Sequence, residues 1–266
     1  MLASAITHHP FYQQKYNGIH LPLQTLDDLS SLPLLEKSEL ITGGVAAICG
    51  LPKNQYVRLH QTSGTCGDPL RVLDTPDDWK WWLECWQYVL DAADASANDV
   101  AMMAFSYGPF IGFWTAHESC VARGVTVIPG GGMDSVSRLK MLVRCDATII
   151  CCTPTYALHL AAIASEHGID IKNSAVSRII VAGEPGGSIV AVRKQIESHW
   201  GARLVDHCGA TELGAWGVGS RDGSGIHVIE SEFIAECLVF DDQSPSGRAA
   251  DENELSELVI TGLGRY

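Results

Sequence analysis

Between residues 100 and 205 the chain alternates short, largely apolar runs with stretches of helical periodicity. The runs cover 100–105, 125–128, 147–152, 178–182 and 203–205. Each is apolar at odd and even positions alike, as in a strand covered on both faces. The stretches between them, 112–123, 135–144, 156–166 and 189–200, carry apolar residues at helical spacing. Strands separated by helices predict an α/β fold class, a mostly parallel sheet with helices on both faces. After residue 203 the pattern changes. The runs 225–229, 234–240 and 257–261 predict strands of a second, smaller sheet.

Composition supports a packed core and narrows the partners. Of 266 residues, 46% are hydrophobic and 18% charged, which argues against disorder. Acidic residues outnumber basic ones 31 to 18, a net charge of −13, so no nucleic-acid partner is expected. The acidic residues between 230 and 257 read as a solvated face. Nine scattered cysteines without a regular framework indicate a reducing, cytoplasmic setting. No apolar run reaches the ~18 residues of a membrane span, and no membrane partner is expected. Trp79, Trp82, Leu83, Trp86, Val89 and Leu90 recur at helical spacing after Thr75-Pro-Asp-Asp, and such a stripe reads as core packing.

In a parallel sheet, ligands bind at the carboxyl ends of the strands. The loops expected there are 106–110, 129–132, 153–156, 183–187 and 208–212. A further loop, 60–69, combines Thr62, Ser63, Gly64, Thr65, Cys66 and Gly67 ahead of Pro69. Its hydroxyls and backbone N–H groups suit a phosphate. It lacks the Gly-Lys-Ser/Thr ending of a Walker loop. In 206–216, Gly209 and Gly214 allow close backbone approach, Thr211 offers a hydroxyl, and Glu212 offers a hard oxygen suited to Mg²⁺. No Gly-x-Ser-x-Gly nucleophile elbow is present, which argues against a serine hydrolase.

Taken in order, these segments resemble the adenylate-forming superfamily of acyl-CoA synthetases, and within it the phenylacetate–CoA ligase family. Thr62-Ser-Gly-Thr-Cys-Gly-Asp-Pro69 resembles the family's phosphate loop, and Cys208-Gly-Ala-Thr-Glu212 its aromatic-Gly-x-Thr-Glu motif. The segments 128–132, 151–160, Gly183-Glu-Pro185 and 257–264 extend the resemblance over nearly the whole chain. It implies ATP-dependent carboxylate adenylation followed by transfer to coenzyme A. The loop 62–67 would hold the β- and γ-phosphates, Thr211 would touch the α-phosphate, and Glu212 would hold Mg²⁺. Gly183, Glu184, Pro185, Asp206, His207, Cys208 and Gly209 would lie around ATP or AMP. An aryl or other small carboxylic acid would sit among Tyr107, Gly108, Phe110, Ala215 and Trp216, with Phe113 and Trp114 close by.

The chain departs from the family in three respects. Cys208 stands where an aromatic residue stacks on adenine, and Leu70 stands where many members carry Lys. Residues 1–266 read as the N-terminal adenylation domain, incomplete at its end and without the C-terminal lid that brings a catalytic lysine. Weak nucleotide binding and little complete turnover are therefore expected. The alternative is a non-catalytic remnant that binds nucleotide or a protein partner. Two further expectations are a structural zinc on Cys208, His227 and Cys237, and self-association into a homodimer through exposed apolar surface.

Overall fold

The computed structural model describes residues 2–19, 21–44, 50–64 and 68–265. They fall into two compact units. The first comprises Met1–Trp82, Gly108–Ile111 and Gly264–Tyr266, and the second Leu83–Tyr107 and Gly112–Leu263.

The first unit carries helices α1 (Leu2–His8), α2 (Pro10–Lys15) and α3 (Lys37–Gly43) and a hairpin, β1 (Arg58–Gln61) paired antiparallel with β2 (Arg71–Asp74). Helix α4 (Pro76–Ala92) begins here. Its start is a reciprocal cap. The Thr75 amide donates to Asp78 Oδ2 at 2.8 Å, and the Asp78 amide donates to Thr75 Oγ1 at 3.1 Å. Pro76 at the first helical position has no N–H to leave unsatisfied. The tryptophan stripe is buried as expected, with Trp79, Trp82 and Trp86 all under 9% exposed. Arg265 returns to this unit, pairing with Asp74 and lying 5.0 Å from the centre of the Trp82 ring.

The second unit is built on a seven-stranded sheet of order β4-β3-β5-β6-β7-β8-β9. Its strands are β3 (Val100–Met103), β4 (Thr126–Pro129), β5 (Ile149–Cys152), β6 (Arg178–Val181), β7 (Arg203–Ala210), β8 (Gly214–Gly219) and β9 (Ile226–Val228). Strands β3 to β7 are mutually parallel. Between them run α5 (Trp114–Arg123), α6 (Ser135–Arg144), α7 (Pro154–Glu166) and α8 (Val190–Trp200). Leu139 and Leu142 of α6, Leu160 of α7 and Ile196 and Trp200 of α8 bury against Met102, Ile150, Ile179 and Leu204. The alternate residues, Ala101, Met103, Ile149, Cys151, Ile180 and Val205, face the other way and are equally buried. That double burial is why the strands read as continuous apolar runs. A separate antiparallel sheet, β11-β10-β12, contains β10 (Phe233–Asp241), β11 (Ser244–Ala249) and β12 (Glu257–Gly262).

Four expectations change. Strand β7 runs on through Ala210, so Cys208 and Gly209 are strand residues paired with Gly217 and Ala215, not loop residues. Strand β8 was not foreseen, because Gly214, Gly217 and Gly219 hide any apolar alternation. The run around 226–228 joins the large sheet through β8 and not the smaller one. Strand β11 was also unforeseen, since Ser-Pro-Ser-Gly-Arg-Ala has a turn-like composition. Among the described residues no helix is long and apolar enough to cross a membrane, and the described cysteines are free.

Candidate active site

The connections from β3 and β5 leave in opposite directions. The chain goes from β3 to β4 on one side, and from β5 to β6 on the other. Such a switch opens a crevice at the carboxyl ends of the two neighbouring strands. The loops expected to carry chemistry in the second unit lie along this edge.

After β3 comes an aromatic cluster. The Phe105 and Tyr107 ring centres are 4.5 Å apart, Tyr107 and Trp114 also 4.5 Å, and Phe105 and Phe113 5.4 Å. Tyr107 therefore belongs to the cluster expected to receive an acyl group. Gly108 and Phe110 fall in the first unit, and Phe110 is 47% exposed. Burial pushes the Tyr107 phenol up to about 12, with the neighbouring Cys151 thiol adding to the effect.

After β6 the chain turns through Gly183, whose φ of +93° suits glycine. Glu184 Oε1 accepts hydrogen bonds from the Thr155 amide at 2.7 Å and the Thr155 hydroxyl at 2.5 Å. Burial pushes the Glu184 carboxyl up, but the Thr155 hydroxyl and amide outweigh it and hold it below the ordinary carboxylate value. This carboxylate thus anchors the 183–185 loop to the start of α7, where the positive end of the helix favours it. Pro185 is exposed beside it. A Cβ at Gly187 would fall on the Asp206 carboxylate, so the loop backbone rests directly on that side chain.

Asp206 is 7% exposed. Its Oδ2 accepts from the Ser188 hydroxyl at 2.6 Å and its Oδ1 from the His207 amide at 3.0 Å. His207 is equally enclosed. Its Nδ1 lies 3.0 Å from the Gly217 carbonyl, which makes Nδ1 the protonated nitrogen, and Trp86 packs edge-on at 4.7 Å. Burial lowers its pKa to about 4 against the raising effect of the Gly217 carbonyl, so the ring is neutral at pH 7. Both residues brace the site from within. Thr155 and Ser188, which fix Glu184 and Asp206, carry no chemical signature in sequence. Their roles emerge only from long-range contacts.

Thr211 and Glu212 form the turn between β7 and β8, half-buried, with the Leu213 amide closing on the Ala210 carbonyl at 3.1 Å. Gly209 is exposed beside them, and Cys208 is half-buried. Ala215 is buried and Trp216 half-buried on β8, where the register shifts between the Gly209–Ala215 and Cys208–Gly217 pairs and leaves Trp216 as the bulged residue.

In the first unit, Thr62 to Leu70 is the hairpin connection between β1 and β2. Thr62 and Leu70 close its neck. The Thr62 amide donates to the Leu70 carbonyl at 2.9 Å, and the Leu70 amide donates to Thr62 Oγ1 at 3.0 Å. Ser63 is exposed, and Gly64 has φ +68°. Thr65, Cys66 and Gly67 lie outside the described residues.

The zinc expectation fails on geometry. No group of three or more His, Cys, Asp or Glu side chains among the described residues converges on a metal position. Cys208 is on β7, Cys237 on β10, and His227 faces a different cleft. Burial, reinforced by Asp206, pushes the Cys208 thiol up to about 11 and disfavours the thiolate zinc needs. The cleft at His227, about 590 Å³, lies at the amino end of β7. Arg203 and Arg221 both turn there toward Asp94, at 2.7 and 3.8 Å, and none of the carboxyl-edge loops lines it.

Comparison with known proteins adds a second line of observation. A phenylacetate–coenzyme A ligase of Pseudomonas putida is 29% identical over 99% of this chain and 60% of its own length. Its counterpart in Thermus thermophilus is 28% identical over 96% of this chain and 57% of its own length. The chain resembles phenylacetate–coenzyme A ligases over almost its whole length. It spans about three fifths of those relatives. No family model matches. Among solved structures, an open conformation of 2-hydroxyisobutyryl-CoA ligase in complex with 2-HIB-AMP and CoA matches 99% of this chain and 63% of that one, with a TM-score of 0.88 at 22% identity. A long-chain-fatty-acid-CoA ligase of Archaeoglobus fulgidus matches 79% of this chain with a TM-score of 0.64 at 14% identity. Both structural matches support the α/β fold.

Proposed function

We propose that this chain is the adenylate-forming portion of an acyl-coenzyme A ligase acting on a small aromatic carboxylic acid in the cytoplasm. The carboxylate attacks the α-phosphorus of ATP, the bond to pyrophosphate breaks, and an acyl-adenylate forms. Coenzyme A then takes the acyl group. No protein nucleophile is needed, so the side chains act by position and charge. What supports this reading most is the match to phenylacetate–coenzyme A ligases along 99% of the chain.

Each part of the site receives a role under this reading. Thr211 contacts the α-phosphate. Glu212 would hold Mg²⁺, and its carboxylate fits that ion. One carboxylate beside a nucleotide suits Mg²⁺, which takes most of its remaining oxygens from phosphates and water. When bound, Mg²⁺ would neutralise charge as pyrophosphate departs. Gly183, Pro185, Cys208 and Gly209 border the adenosine, while Glu184, Asp206 and His207 hold those segments in place. For residues 62–67 the sequence resemblance alone supports phosphate contact. The acyl group enters the cluster of Phe105, Tyr107, Phe113 and Trp114.

ATP binding by titration calorimetry, with and without Mg²⁺, tests the reading together with acid-dependent exchange of labelled pyrophosphate into ATP. Glu212→Gln should weaken the Mg²⁺-dependent part of binding or exchange at least about tenfold. A folded chain that binds no ATP overturns the proposal.

A further inference from the structure

Two buried polar atoms in the second unit have no use in the account above. The Tyr107 hydroxyl and His117 Nδ1 are sealed from solvent and have no hydrogen-bond partner. Among the described residues of that unit, they are the only buried side-chain nitrogen or oxygen atoms in this condition. Elsewhere the unit satisfies such groups. Trp200 Nε1 donates to the Ala157 carbonyl at 3.0 Å, and His207 Nδ1 to the Gly217 carbonyl at 3.0 Å. Buried polar groups are paired in the great majority of cases, so two orphans in one place call for an occupant.

The two side chains are neighbours. The Tyr107 and His117 ring centres are 5.9 Å apart with the planes at 85°. Apolar surface encloses the tyrosine, with Phe105 and Trp114 rings at 4.5 Å. The backbone at Gly131 lies so close that a Cβ there would sit 2.5 Å from the Tyr107 ring. This pair follows β3, at the switch point where β3 and β5 open the crevice.

We propose, resting on the acyl-pocket reading above, that Tyr107 and His117 form a polar subsite within the aromatic pocket that selects aryl acids bearing a hydroxyl. A ligand hydroxyl can donate to or accept from either group. A neutral imidazole offers either role at Nδ1, depending on its tautomer. Burial keeps Tyr107 protonated at neutral pH, so it can donate as well as accept. An unsubstituted aryl ring would leave both groups unpaired, and sites built to hydrogen-bond a substrate hydroxyl discriminate against analogues that lack it.

Binding of phenylacetate and of 3- and 4-hydroxyphenylacetate to the full chain, measured by calorimetry or ligand-observed NMR, tests this. At least one hydroxylated acid should bind about tenfold more tightly than phenylacetate. Tyr107→Phe, which keeps the ring and its packing, should reduce that ratio to about twofold or less. His117→Phe should reduce it similarly, and circular dichroism checks that each variant is folded. Equal affinities in the unmodified chain overturn the subsite and leave the acyl pocket standing. A preference that survives Tyr107→Phe in a folded protein overturns the assignment to these residues. Failure of all three acids to bind overturns both the subsite and the acyl pocket.

Discussion

Strands β3, β5 and β6 are built mainly from Val, Ile, Met, Ala and Cys buried on both faces, whereas three of the six residues of β8 are glycine. The two ends of one sheet thus pack by different means. In the parallel part, side chains fill the space between sheet and helices, and burial of each large residue is worth about 1.5–3 kcal/mol. At the antiparallel end, the missing side chains let the backbone come close. A Cβ at Gly217 would lie 2.6 Å from Ile226 Cγ2, and one at Gly219 would lie 2.8 Å from the Asp206 Cβ. The first arrangement tolerates loss of volume poorly, and the second tolerates gain of volume poorly. The proposed site lies where they meet, on the last residues of β7 and the turn to β8.

Substitutions that exchange these rules test the contrast most directly. The largest effect is expected in the parallel part. Trp200→Ala empties a fully buried site and removes the hydrogen bond to the Ala157 carbonyl, and denaturant unfolding should report a loss of about 3–5 kcal/mol. Next is a pH effect at the junction. His207 titrates at about 4 when folded and near its ordinary 6.5 when unfolded. Between these values the unfolded chain takes up the proton first. Stability present above pH 6.5 is therefore lost as pH falls toward 4, by up to about 3 kcal/mol. Comparing the unfolding free energy of the unmodified chain and His207→Gln across pH 4 to 7 isolates this contribution. A variant with the same slope as the unmodified chain would refute it.

At the antiparallel end the sign of the volume change reverses. Gly219→Ala should cost about 1–3 kcal/mol, because the Asp206 main chain lies within 3.4 Å of the added methyl. A neutral result would show that close approach does not hold β8 against β7. Ser188→Ala removes one hydrogen bond to Asp206 and should cost about 1 kcal/mol in the same assay. The smallest effect belongs to the connection between β11 and β12. Leu255 is 95% exposed, and Leu255→Ala should change stability by no more than about 0.5 kcal/mol.

The candidate site was only partly legible in sequence. The segments around Gly183, Asp206 and Glu212 stand out by residue type. Their division of labour does not. Asp206 and His207 look like ligand-contacting groups in a linear reading, yet their polar atoms are engaged by Ser188, by the His207 amide and by the Gly217 carbonyl. Thr155 serves Glu184 from 29 residues away. His117 sits three residues after Trp114 on α5 and gives no signal of its own, because a buried unpartnered nitrogen is a property of packing. The zinc set was plausible by ligand type and failed because β7, β9 and β10 carry its members to different places.

By itself the sequence determined the parallel half of the sheet, with strand and helix limits within about two residues except at the end of β7, because double-sided burial demands continuous apolar runs and helices demand their own period. It also determined which loops fall at the carboxyl edge. Only the tertiary structure decided that β7 runs on through Cys208 and Gly209, that β8 exists, and that β9 belongs to the larger sheet. Glycine strands are held by backbone pairing and close approach to distant residues. No local pattern of side chains records that.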